Sequence, residues 1–227
     1  MTDLIIAACD GASKGNPGRA AWGWAIAGAD GSVERWEAGP LGTSTNNIAE
    51  LTALLRVLEA TDAAVPLEVR MDSTYAMKAV REWLPGWRKR GWKTAAGKPV
   101  ANQELIVAID AALAGREVGL VYVAAHQVDG DPYNAAADAA ASYSARTQEA
   151  IGSAYGSELP EGDAPTKPAK PAGVPAARKR ASGGGTVKAK FAGRCRCGRS
   201  YEVGATIAKN SDGWGHVDCA KVGAAER

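Results

Sequence analysis

The sequence predicts an α/β fold with a mixed five-stranded sheet and covering helices, followed by a linker and a small metal-stabilised module. Three observations predict it. Three apolar runs separated by turn residues come first, and the later runs alternate with amphipathic stretches at helical spacing. A Gly-, Pro- and Lys-rich segment then interrupts the globular composition, and three of the four cysteines fall beyond it.

The first run, "LIIAACD", ends in Asp10 and is followed at once by a loop of Gly, Ser, Asn and Pro, so it reads as a buried strand. "AWGWAIAG" and "VERWEAG" read as two more strands with Asp30-Gly31 between them, a hairpin signal. "NNIAELTALLRVLEA" carries Ile48, Leu51, Leu55 and Leu58 on one helical face. "LEVRMD" is a fourth strand, "STYAMKAV" a short helix and "NQELIVAIDAALAG" a longer one. "VGLVYVA" is the fifth strand, and "YNAAADAAASYSAR" an Ala-rich last helix. Helical crossovers favour parallel pairing of the later strands.

Hydrophobic residues make up 46% of the 227-residue chain, enough for a sizeable core. From Gly152 to Thr186 large apolar side chains almost vanish, so that segment cannot offset its conformational entropy and reads as a linker. The expected organisation is a large folded domain over 1–151, a linker over 152–186 and a small domain over 187–227. A net charge of +2 does not by itself argue for nucleic acid. The first apolar run is short and follows Asp3, and no apolar stretch approaches membrane-spanning length, so neither secretion nor membrane insertion is supported. Cys9 lies in the first strand and Cys195, Cys197 and Cys219 beyond the linker; this uneven division fits a reducing cytoplasm better than a disulfide framework.

Asp10 ends strand one and Asp72 ends strand four, so parallel pairing of those strands sets the two side by side at the carboxyl edge of the sheet. Like charges brought close raise one another's pKa or recruit a cation. Glu50 is expected in the first turn of the first helix and Asp138 in the first turn of the last. Each acid also has an ordinary structural account. Asp10 can start an Asx-turn, Glu50 can answer Asn47 in a capping-box-like start, Asp72 can cap a helix, and Asp138 can sit favourably in the helix dipole.

Four stretches, "DGASKGNPG", "STNNIAEL", "MDSTYAMKAV" and the His, Asn and Asp of "AHQVDGDPYNAAAD", resemble in order and spacing the type 1 ribonuclease H family over residues 4 to 148. The resemblance implies the ribonuclease H fold, with Asp10, Glu50, Asp72 and Asp138 as carboxylates holding two Mg2+ ions. It implies an endoribonuclease that cuts the RNA strand of RNA–DNA hybrids and leaves 5'-phosphate and 3'-hydroxyl ends. Hard cations select oxygen ligands, and paired ions can activate water and stabilise the leaving oxygen. His126, before the last helix, would be a proton carrier, since an imidazole titrates near neutrality. Asn16, Thr45 and Asn46 match positions that contact the hybrid, and amides suit a 2'-hydroxyl. "REWLPGWRKRGWKTAAGKP" resembles the family's basic protrusion and sets Arg81, Arg88, Lys89, Arg90 and Lys93 among Trp83, Trp87 and Trp92. Such a mixture suits a phosphate-binding groove; it also suits a solvated basic hairpin anchored by tryptophans. The chain departs from the family pattern in the longer interval from His126 to Asn134, which adds Asp129 and Asp131, and at Thr74 and Ile106.

Beyond the linker, Cys195, Cys197, His216 and Cys219 form two close pairs of soft ligands, suited to tetrahedral Zn2+. All four positions are filled, so the zinc would be structural. The region resembles small Cys/His zinc modules of ribbon type. Its basic residues make nucleic acid one candidate partner and a protein another. No membrane partner is expected, and a monomer is. The alternative to an enzyme is a hybrid-binding adaptor whose zinc module does the recognising.

Overall fold

The computed structural model describes residues 4–125, 130–162, 186–195, 197–210 and 213–221. The chain forms two compact units, 1–171 and 172–227.

In the first unit β1 (Ile5–Gly15), β2 (Gly18–Ala27) and β3 (Val33–Ser44) form an antiparallel meander, and α1 (Asn46–Glu59) follows. β4 (Leu67–Met71) leads into α2 (Thr74–Lys78), a π-helical turn at Ala79–Trp83, and α3 (Leu84–Lys89). Then come α4 (Gln103–Leu113), β5 (Val118–Tyr122), α5 (Pro132–Thr147) and a two-residue strand β6 (Ile151–Gly152). The sheet order is β5-β4-β1-β2-β3-β6. β4 runs parallel to β1 and β5, as the crossovers require, and the remaining pairs are antiparallel.

The sheet therefore has six strands where the sequence suggests five. β6 is too short to show periodicity, but Gly152 pairs with Glu37 and Ile151 with Ala38. The expected linker thus begins inside ordered structure: Ser153–Tyr155 form a 3-10 turn, and the Ser153 hydroxyl donates to the Trp36 carbonyl at 3.3 Å. Residues 163–185 of that segment lie outside the described residues.

Alternation along β1 sorts the core. Ala7 and Cys9 face the larger cluster, which holds Trp22, Trp24, Leu51, Leu54, Val69, Met71, Ile106 and Ile109 beneath α1 and α4. Ala8 and Ala12 face α5, whose Ala137, Ala141 and Ala145 allow the helix to lie close on the sheet. The α1 apolar stripe predicted from its spacing is buried at Leu51 and Leu58 and half-buried at Ile48 and Leu55.

The second unit holds a three-stranded sheet of β7 (Thr186–Lys188), β10 (Thr206–Asn210) and β11 (Gly213–His216), ordered β11-β10-β7. A small hairpin of β8 (Gly193–Arg194) and β9 (Ser200–Tyr201) and a closing helix α6 (Val217–Lys221) complete it. Among the described residues no helix is long and apolar enough to cross a membrane.

Candidate active site

Asp10 sits two residues past the last β1–β4 pair, Ala8↔Arg70, and it pairs with Gly23 of β2. Two glycines let helices press on the strands here. A Cβ on Gly11 would meet the Glu50 backbone nitrogen at 2.3 Å, so only glycine lets α1 bring Glu50 to the edge of β1. A Cβ on Gly23 would meet the Ala137 carbonyl oxygen at 2.6 Å, so glycine also lets α5 carry Asp138 alongside Asp10. Asp72 follows the end of β4, the parallel neighbour of β1.

Carboxylate oxygens of Asp10, Glu50 and Asp72 lie within 4.8 Å of one another. Asp138 and Ser142 complete a cleft of about 350 Å³ with Gly11, Ser13 and Lys14. The Ser142 hydroxyl donates to Asp138 Oδ1 at 3.4 Å. Asp10 and Glu50 are buried. Burial first, and then the charges of Glu50, Asp72 and Asp138, push the Asp10 carboxyl well above the usual range. Burial and the charge of Asp72 push Glu50 up to about 8. Glu50 Oε1 accepts from Asn46 Nδ2 at 3.4 Å, whereas the buried Oε2 has no hydrogen-bond partner among the described residues. A buried, unanswered carboxylate oxygen beside two further carboxylates is the donor set of a hard divalent cation.

Local structure corrects several expectations. Thr45 caps α1, its Oγ1 accepting from the Ile48 N–H at 3.3 Å, so Glu50 lies beyond the first turn and answers Asn46 rather than Asn47. Ser73, not Asp72, caps α2, accepting from the Ala76 N–H at 3.2 Å. α5 starts at Pro132, which moves Asp138 out of its first turn. Asp131 caps α5, accepting from the N–H groups of Tyr133 and Asn134 at 3.1 and 2.8 Å, and takes the Arg70 guanidinium at 2.6 Å. The added acid thus ties β4, which leads to Asp72, to the helix bearing Asp138. Asp129 and His126 lie outside the described residues.

On the hybrid-facing candidates, Asn16 and Asn46 are exposed and joined, the Asn46 N–H donating to Asn16 Oδ1 at 3.2 Å. In the protrusion, the Trp83 and Trp87 rings meet at 5.6 Å with a tilt of 54° and, with Trp92, pack half-buried on the core. The stretch forms α3 followed by a loop closed by a Lys93–Pro99 bridge, so the alternative of a basic hairpin does not hold, although its tryptophans do anchor on the core. Lys89, Arg90 and Lys93 are exposed, Arg88 pairs with Asp110, and the Arg81 guanidinium donates to the Leu120 carbonyl.

In the second unit, ligand atoms of Cys195, Cys197, His216 and Cys219 lie within 4.8 Å of one another. The first pair occupies the β8–β9 turn, held by the Cys195 N–H on the Arg199 carbonyl and the Gly198 N–H on the Cys195 carbonyl, both at 2.9 Å. The Arg199 backbone N–H, its side chain and His216 lower the Cys197 thiol to about 6. A thiolate at neutral pH is the form that binds zinc.

A sequence model of the RNase H family matches residues 2–146. The chain belongs to the RNase H family. Ribonuclease HI of Streptomyces coelicolor is 60% identical over 230 aligned residues, covering 99% of this chain and 100% of that protein. Ribonuclease HI of Pseudomonas aeruginosa is 41% identical over 140 residues, covering 61% of this chain and 92% of that one. The crystal structure of LC9-RNase H1, a type 1 RNase H with the type 2 active-site motif, aligns with a TM-score of 0.55 at 22% identity, covering 66% of this chain and 75% of that one. At that identity the likeness concerns the fold. Ser142 and Lys14 in the cleft escaped the sequence reading; the four-residue spacing of Ser142 from Asp138 is the signal that marks it.

Proposed function

We propose that the chain is an endoribonuclease that hydrolyses the RNA strand of RNA–DNA hybrids, leaving 5'-phosphate and 3'-hydroxyl ends. The observation that carries this reading is the buried Glu50 Oε2, without a hydrogen-bond partner among the described residues, within a carboxylate cluster of an RNase H chain. Asp10, Glu50, Asp72 and Asp138 are the proposed holders of two Mg2+ ions. When bound, such ions supply an activated water and charge stabilisation at phosphorus and at the leaving 3' oxygen.

The chain's own groups do the rest. Asn46 orients Glu50 through its Oε1, and the Asn16–Asn46 pair presents amide edges suited to a 2'-hydroxyl. Thr45 supports that pair by fixing the start of α1. Lys89, Arg90 and Lys93 are the proposed phosphate contacts of the protrusion, with Arg88 steadied by Asp110 and Trp83 and Trp87 serving as its anchor. His126 is the proposed proton carrier. Cys195, Cys197, His216 and Cys219 would hold a structural Zn2+, and the second unit is a separate module after the catalytic one.

The test is cleavage of a labelled RNA–DNA hybrid with Mg2+ beside single-stranded RNA, duplex RNA and duplex DNA, with Asp72→Asn as control. Hybrid-specific cutting that vanishes in the variant is expected. Binding without cutting would favour an adaptor, and cutting that survives the substitution would refute the metal assignment.

A further inference from the structure

We propose that the second unit carries a binding site for single-stranded nucleic acid, with Phe191 and Trp214 as base-stacking platforms and Lys188 and Lys190 as phosphate contacts. These four residues line a groove of about 460 Å³ whose floor includes the buried Ile207. Phe191 is 81% exposed and Trp214 42%, in a unit too small to leave large aromatic surface in water without consequence. Val187, 45% exposed, extends the apolar wall.

The lining distinguishes between occupants. It contains two lysines and no carboxylate, and Lys209 stands opposite Trp214 in the β10–β11 register. An apolar peptide would leave both lining ammonium groups without a counter-charge. A paired duplex would offer phosphates but hide its base faces. An unpaired strand offers both, and cations interleaved with exposed aromatics are the general means of holding one. Tyr201 plays a different part: its ring lies against Gly193, where a Cβ would meet the hydroxyl at 2.5 Å, so it supports the hairpin that bears Cys195 and Cys197.

The site is tested by fluorescence anisotropy of the full-length chain with a labelled single-stranded DNA oligonucleotide in magnesium-free buffer, using unlabelled blunt duplex as competitor. Phe191→Ala should weaken binding on the order of tenfold, since one base–aromatic stack is removed. Phe191→Trp should restore it. Replacing Lys188 and Lys190 together by Ala should reduce the dependence of log K on log salt by about 1.4, about 0.7 for each phosphate contact on a single strand. Unchanged binding in Phe191→Ala combined with Trp214→Ala would overturn the proposal, and so would blunt duplex competing as well as the single strand. Zinc content and circular dichroism of each variant report whether the module is still folded. Hybrid cleavage by Phe191→Ala, assayed separately, distinguishes failure of this site from failure of the ribonuclease reading.

Discussion

Replacing Glu50 by Gln should make the metal-free protein more stable while removing its activity. Glu50 is 6% exposed, and burial and Asp72 raise its pKa from 4.5 to about 8. The folded state therefore binds a proton that the unfolded chain has released. The contribution of Glu50 to stability is fullest below pH 4.5, falls as pH rises from there to about 8, and levels off beyond. At pH 7 the cost of keeping that proton is on the order of 3 kcal/mol. Two carboxylates no more than 4.8 Å apart, at an effective dielectric of about 20, repel by a similar amount, on the order of 3 kcal/mol or more. Glutamine keeps the acceptor that Asn46 uses and replaces the unanswered oxygen with a donor that neighbouring carboxylates can accept. A gain of about 2–3 kcal/mol corresponds to a Tm rise of about 5–10 °C for a unit of this size. The assay is thermal unfolding followed by tryptophan fluorescence, with Trp22, Trp24 and Trp36 buried as reporters. Magnesium is removed by dialysis rather than chelation, which would also strip zinc. The advantage of the variant should shrink at pH 4 and on adding Mg2+. A variant no more stable than the parent at pH 7 and 8, or an advantage equally large at pH 4, would refute the reasoning.

Gly23→Ala places a Cβ 2.6 Å from the Ala137 carbonyl oxygen, so α5 must shift; we expect a loss of about 1–3 kcal/mol in denaturant melts and a lower kcat at nearly unchanged hybrid affinity. Replacing Arg88, Lys89 and Arg90 by Ala should weaken hybrid binding and flatten its salt slope by about 1–2, less than three contacts would give because Arg88 is already paired with Asp110. Cys197→Ser should lower zinc content and unfold the second unit by circular dichroism, while the buried tryptophans of the first unit melt as before.

The carboxylates were legible because Asp72 directly follows a strand, Glu50 and Asp138 lie on helices that patterning identifies, and "DGASKGNPG", "STNNIAEL" and "MDSTYAMKAV" fix their surroundings; Asp10 does not end its strand as expected, since β1 runs on to Gly15. The two-residue β6 was not, since no periodicity exists over two residues. The helix starts were misplaced by one or two residues because capping was assigned by residue type alone. Asn47 and Tyr133 were read at starts where Thr45 and Asp131 hold the backbone N–H groups. The tie from Asp131 to β4 was invisible because its partner, Arg70, is 61 residues away in the chain. Gly11 and Gly23 were unreadable for the same reason: what excludes a Cβ belongs to helices far along the sequence. In the protrusion, mixed aromatic and basic composition could not separate tryptophans that anchor from cations that face water.

Within β1, Ala7 and Ala8 are paired on both edges, with β2 and with β4, and Asp10 stands just past that doubly held stretch. Folding itself gathers the mutually repelling acids, so little ordering remains to be done when an ion arrives. The affinity for a cation is in this sense preorganised: part of the stability that the cluster forgoes without an ion returns as binding free energy, and the pairing of β1 with β2, which runs through Asp10 and Gly23, keeps it from relaxing away.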